Sequence, residues 1–163
     1  MKKELIILVG NIGAGKSTLA KKYQKLGYII IARDQLRYAI GGGVYIFNLD
    51  YEPIIWKTEI QMFRKFIKLG VNIVIDEVGI TETVRKRYIL YAKKYNYKII
   101  AIEFSRLSMK ESVNRRMKNP HQQDDRELWE SVWKKFDKIY ESPRKDEEID
   151  IIIRNYENYG AKK

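Results

Sequence analysis

Cysteine is absent from the sequence, which removes both a disulfide framework and thiol chemistry. The single histidine, His121, lies in a polar stretch with no second imidazole or thiolate to share a metal, and a zinc site there is not expected. No apolar run approaches the roughly 20 residues needed to cross a bilayer as a helix. No Asn-Lys-x-Asp stretch occurs, so the guanine-reading signature of GTPase switches is missing. Internal repeats and low-complexity linkers are missing too, and with 163 residues the expectation is one domain, 1–163, with a core of its own.

Negative charge is in the minority. Against 21 Asp plus Glu stand 32 Lys plus Arg, a formal net charge of +11. An excess of this size draws polyanionic partners by long-range attraction, although a Lys-, Ile- and Tyr-rich composition can also reflect genome bias.

The most informative segment is Gly10-Asn11-Ile12-Gly13-Ala14-Gly15-Lys16-Ser17-Thr18, which fits G-x-x-x-x-G-K-[ST]. An apolar run, Leu5–Val9, precedes it and a helical stretch follows. Glycines let such a loop turn successive backbone N–H groups inward onto a polyphosphate, and the helix that starts there adds unsatisfied amides and a positive dipole end. Gly13, Ala14, Gly15, Lys16, Ser17 and Thr18 are the expected nucleotide contacts. Lys16 reaches the β- and γ-phosphates and the Ser17 hydroxyl holds Mg²⁺. The first residues, Met1-Lys2-Lys3-Glu4 and five apolar ones, look like a signal peptide, but the apolar part is short and cleavage there would destroy the loop. A cytoplasmic location is therefore expected.

Strand-like runs alternate with helical patterns: Leu5–Val9, Tyr28–Ala32, Asn72–Ile75, Tyr97–Phe104 and Ile149–Ile153 as strands, with helices over Lys16–Leu26, Gln35–Ile40, Pro53–Leu69, Glu82–Tyr95, Met109–Lys118 and Arg126–Tyr140. This alternation predicts an α/β fold of the P-loop NTPase, nucleoside-kinase-like kind. Its sheet has five parallel strands sandwiched by helices, with the P-loop strand central and Asp76 on a neighbour. In the last helix Leu128, Val132, Phe136 and Ile139 recur at helical spacing and predict a buried face, with Trp129 and Trp133 as core. Gly41-Gly42-Gly43 suggests a mobile connection, and the polar stretch Asn119–Asp125 suggests a small helical lid at about 114–127.

Three further constellations bear on chemistry. Asp34 and Arg37 follow the second strand, where ligands collect in open α/β sheets, and their spacing lets both face one crevice. A carboxylate there can accept the proton of an attacking hydroxyl, and a guanidinium can grip an acceptor phosphate. The plainer account makes Asp34 an N-cap and Arg37 a solvated side chain. Ile73-Val74-Ile75-Asp76-Glu77 is an apolar strand ending in a carboxylate, the Walker B pattern, with Asp76 as Mg²⁺ ligand and Glu77 as the next candidate for general base. Arg115 and Arg116, with Arg126 beyond the turn, can stabilise charge on a transferring phosphoryl group, or can simply be a solvated helix end.

Together these residues resemble the small P-loop kinases, most closely the 5′-hydroxyl polynucleotide kinase domain of bacteriophage and RNA-repair enzymes. The resemblance implies that Asp34 activates the 5′-hydroxyl, that Arg37 contacts the phosphate next to it, and that Arg115 is a lid arginine on the nucleotide. A second lid arginine would fall on Asn119, and Asp76-Glu77-Val78 stands where the family commonly has Asp-Thr-Asn. The Asp and Arg spacing is also similar to zeta-toxin-type kinases. The expectation is thus an ATP- and Mg²⁺-dependent kinase phosphorylating the 5′ ends of RNA or DNA, with Lys16, Asp34 and Arg115 catalytic and no membrane partner. The alternatives are a kinase for a small acceptor (nucleoside, nucleotide, sugar or antibiotic) and a non-catalytic ATP-binding module.

Overall fold

The computed structural model describes residues 3–118 and 125–157. Among these, five strands form one parallel sheet: β1 (Glu4–Val9), β2 (Ile29–Ile31), β3 (Ile73–Ile75), β4 (Lys98–Phe104) and β5 (Ile151–Tyr156). They lie in the order β2-β3-β1-β4-β5, so the strand before the Gly-rich loop is central and the strand ending at Asp76 is its neighbour, as expected. Ile6 of β1 pairs with Val74 of β3 on one side and Ile100 of β4 on the other. The helices are α1 (Lys16–Lys25), α2 (Arg33–Ile40), α3 (Glu52–Leu69), α4 (Glu82–Lys93), α5 (Met109–Met117) and α6 (Arg126–Lys138).

A strand covered on both faces cannot alternate polar with apolar, and Leu5 to Val9 are all buried. Leu5, Ile7 and Val9 join Phe63 and Ile67 of α3 and Tyr88 and Ile89 of α4 in one core. Ile6 and Leu8 point the other way, onto Leu19 and Ala20 of α1. Each such side chain contributes about 1.5–3 kcal/mol by leaving water, so β1 is held from both sides and its carboxyl end is a fixed platform. None of the described helices is long and apolar enough to cross a membrane.

Three expectations need correction. The last strand begins at Ile151 rather than Ile149, because Glu148 turns through a left-handed φ of 65° and the Asp150 carboxylate takes the Ile99 amide at 2.7 Å. Helix α6 buries no residue: Leu128, and Ile139 just past its end, are each 45% exposed, and Trp129 and Trp133 are half-buried rather than core. The stripe on α6 exceeds what its short partner α5 can cover. The glycine triplet closes a bonded turn, Gly43 N–H donating to Tyr38 O at 2.9 Å and Val44 N–H to Gly41 O at 3.2 Å. A Cβ on Gly41 would lie 2.0 Å from the Val44 carbonyl oxygen, so glycine is required there. The predicted lid turn, with Asn119 and His121, lies outside the described residues except for its flanks.

One buried ion pair ties α4 to the segment that leads into β5. Arg85 of α4 donates through Nε and Nη2 to both Glu147 oxygens, at 2.7 Å each, and through Nη1 to the carbonyls of Gly79 and Glu141. Removing one member of such a pair leaves the other charge buried alone. Arg85→Met should therefore lower unfolding free energy by about 3–5 kcal/mol in urea titration, whereas the exposed pair Arg144–Glu82 should contribute under about 1 kcal/mol.

Candidate active site

The loop after β1 is shaped by glycine. Gly13 and Gly15 take positive φ of 68° and 99°, and a Cβ on Gly13 would lie 2.4 Å from the Ser112 carbonyl of α5. Helix α1 then starts with no acidic residue in its first turn, the arrangement that suits an anion. The Lys16 ammonium folds back onto the loop, donating to the carbonyls of Gly10 at 2.9 Å and Asn11 at 2.8 Å. Desolvation pushes its pKa down, while the carboxylates of Asp76, Asp34 and Glu77 oppose that shift. These three acidic residues come from two different strand ends, and all of them act on the one lysine.

Asp76 and Ser17 lie together as the Mg²⁺ reading requires: the Ser17 side chain is near enough to favour the charged form of the Asp76 carboxylate. Burial raises the Asp76 pKa, and Ser17 and Lys16 pull it back. A hydroxyl and a carboxylate beside a phosphate-binding loop make a hard-oxygen donor pair that fits Mg²⁺.

Glu77 does something else. Its Oε1 accepts the Arg33 backbone N–H at 2.6 Å, and its Oε2 accepts Arg33 Nε at 2.8 Å and Nη2 as well. Helix α2 has no side-chain cap of its own, so Glu77, reaching over from the end of β3, satisfies its first amide. Both Glu77 oxygens are therefore occupied. Asp34 is correspondingly not an N-cap: it sits one residue into the helix with its side chain 58% exposed.

Arg37 is buried rather than solvated. Its Nε and Nη2 donate to Glu52 of α3 at 2.9 and 2.6 Å, and its Nη1 donates to Asp34 at 2.6 Å. Glu52, its pKa lowered by Arg37 and to a smaller degree by the nearby Trp56 side chain, lies beside that ring, and the Arg33 guanidinium lies 3.6 Å from the Trp56 ring centroid. A continuous chain thus runs from Glu77 through Arg33, Trp56 and Glu52 to Arg37 and Asp34.

The arginines Arg115, Arg116 and Arg126 differ in setting. Arg115 is half-exposed and donates to Glu111 on its own helix at 2.6 Å. Arg116 stacks 4.1 Å over Trp129 and exerts its charge on Tyr45 beside Asp34. Arg126 donates to Asn114 at 2.8 Å, joining α6 to α5. The same two helices are wired to the phosphate loop: Asn11 Nδ2 donates to the Trp133 carbonyl at 3.1 Å, and Trp133 Nε1 to the Ser112 hydroxyl at 3.2 Å.

Sequence reasoning missed Glu52, Trp56, Tyr45 and the anchoring role of Glu77. Glu52 carried one legible signal, an acidic residue in the first turn of a long helix, but nothing in a single sequence tells which arginine it meets. Tyr45 carried none.

The AAA domain family AAA_33 matches residues 5–143 of the chain. The chain is 31% identical over 107 residues to the "Putative bifunctional polynucleotide kinase/RNA ligase" of Autographa californica nuclear polyhedrosis virus, which covers 58% of this chain and 15% of that protein. Among solved structures it is similar to a chain of the Pnkp1/Rnl/Hen1 RNA repair complex (TM-score 0.62, 20% identity, 88% of this chain and 49% of that one). It is also similar to shikimate kinase from Acinetobacter baumannii (TM-score 0.55, 18% identity, 95% and 85%). At these identities the structural likenesses speak for the P-loop kinase fold alone. The chain spans less than half the length of the viral and RNA-repair relatives.

Another carboxylate lies beneath the site. Glu59 of α3 is buried, accepts the Tyr88 hydroxyl at 2.8 Å through Oε1, and among the described residues its Oε2 has no partner. Burial lifts its pKa to about 7. Because the folded value exceeds the unfolded one of 4.5, this group's stabilising contribution is complete below pH 4.5 and is lost as pH rises toward 7. The Glu59→Gln variant should flatten a fall in stability of up to about 3 kcal/mol across that window, measured as urea midpoints from pH 4.5 to 7.5.

Proposed function

Because this chain belongs to the AAA domain family AAA_33, a family of P-loop kinases, we propose that its phosphotransferase activity carries the γ-phosphoryl group of ATP to the 5′-hydroxyl of RNA or DNA. The observation that carries this reading is the pairing of an exposed carboxylate, Asp34, with a clamped arginine, Arg37, beside the P-loop lysine. Support for the polynucleotide acceptor comes from the identity to the viral kinase/ligase and from the +11 charge.

In this reading Gly13 to Thr18 cradle the phosphates of ATP with backbone amides, and Lys16 exchanges its bonds to the loop carbonyls for the β- and γ-phosphates. Ser17 and Asp76 hold Mg²⁺, which when bound neutralises charge on the phosphates. Asp34 accepts the proton of the acceptor hydroxyl as it attacks. Arg37 already has three donors committed to Glu52 and Asp34, and it offers its remaining N–H groups to the phosphate next to that hydroxyl. Glu77 is tied by Arg33 at both of its oxygens and serves here as an anchor for α2 rather than as the base. Arg115 and Arg116 are the candidate lid contacts, and Arg116, whose charge reaches Tyr45, is the better placed. Phosphoryl transfer asks for little covalent chemistry, so catalysis comes from positioning and charge stabilisation. Residues 1–163 act here as one kinase domain with its lid at about 114–127, working in the cytoplasm where ATP is supplied.

Asp34→Asn should reduce transfer to a 5′-hydroxyl oligonucleotide by about 10²- to 10⁴-fold while leaving ATP affinity nearly unchanged. Full activity in that variant would remove Asp34 from the base role. The acceptor class has its own test. For a nucleic acid, acceptor KM should climb steeply between about 50 and 200 mM salt through counterion uptake. A KM indifferent to salt would point to a small neutral acceptor instead.

A further inference from the structure

The connection from α2 to α3, residues 41–51, carries a run of exposed apolar and aromatic side chains immediately beside Asp34. Phe47 is 58% exposed and Leu49 75%, with Val44 and Tyr51 also exposed. This stretch is built to a fixed shape. The glycine turn pins its start, and Asn48 pins its end, its carbonyl accepting the Tyr51 and Glu52 amides at 3.0 and 3.2 Å and its side chain the Asp50 amide at 2.9 Å.

Two of its rings are tied to the acceptor residues. The Tyr45 hydroxyl donates to Asp34 Oδ1 at 3.1 Å, and its ring meets Tyr38 of α2 edge-on with centroids 5.3 Å apart. The Arg37 guanidinium lies 5.9 Å from the Tyr45 ring centroid and 5.6 Å from that of Phe47. Arg37 is itself held by Glu52, so both rings border a cation that does not wander.

We infer that Tyr45 and Phe47 form a stacking platform for the terminal nucleobase of the acceptor. The inference rests on the 5′-hydroxyl kinase reading and specifies its substrate. In a nucleotide the base hangs from the same sugar that carries the 5′-hydroxyl and the next phosphate. With the hydroxyl at Asp34 and the phosphate at Arg37, the base falls within one nucleotide's reach of the rings that flank those two residues. An exposed aromatic face beside a phosphate-gripping arginine is how single strands are held without base selectivity, since every base has a π-face.

The test compares two 5′-hydroxyl oligonucleotides that differ only at the terminal residue, one intact and one abasic, with wild-type enzyme and with Phe47→Ala and Phe47→Trp. Phe47 is largely exposed, so the fold tolerates both changes, and thermal melting checks this. The wild type should show a KM about tenfold or more higher for the abasic strand, with kcat little changed. That KM ratio should shrink to near one in Phe47→Ala and return in Phe47→Trp. An equal ratio in wild type and Phe47→Ala, with transfer intact, would overturn the platform and leave the kinase reading standing. No transfer by wild type to either strand, with ATP binding preserved, would remove both.

Discussion

The arrangement of the whole site depends on how Glu77 holds Arg33. Strands β2 and β3 end side by side, and the carboxylate at the end of one accepts both the backbone amide and the guanidinium of the residue that opens the helix after the other. This fixes the entry of α2, and with it the place of Asp34, relative to Asp76 and the phosphate loop. From Arg33 the constraint continues through Trp56 and Glu52 to Arg37, so three elements are locked at one sheet edge. Ion pairs of this kind give little net stability when both partners must be desolvated. What they supply is register: the exposed carboxylate of Asp34 keeps its place at this edge because everything beneath it is held.

Much of this was legible in the sequence, for physical reasons. A strand buried on both faces has to be continuously apolar, and Leu5–Val9 announced itself that way. A P-loop constrains its neighbours so tightly that a strand before and a helix after can be read off together, and the Walker B run placed Asp76 beside it. Asp34 and Arg37 were readable from their place after a strand. Their partners were not, since Glu52, Tyr45 and Glu77 meet them only through the tertiary fold. Glu77 shows the limit well: as a carboxylate at a strand end it looks like a base, and only its two bonded oxygens reveal an anchor.

Helix α6 went wrong for a related reason. Its apolar periodicity is real, but periodicity measures a stripe and not what lies against it. The stripe faces a nine-residue helix and the rim of the P-loop, so Leu128 and Ile139 stay exposed while Trp133 reaches Ser112 and, through its carbonyl, Asn11. Helices α5 and α6 thus both touch the phosphate loop directly. The +11 charge, ambiguous from composition alone, gains meaning beside Arg37 and Arg116 at the same edge.

The central claim is that this edge phosphorylates nucleic-acid 5′ ends. It is tested most directly by transfer from γ-labelled ATP with Mg²⁺ to a single-stranded 5′-hydroxyl oligonucleotide, run beside the same strand already bearing a 5′-phosphate. The account predicts label on the first strand and none on the second. Label on neither, from protein that binds ATP, would contradict it and turn attention to small hydroxyl acceptors.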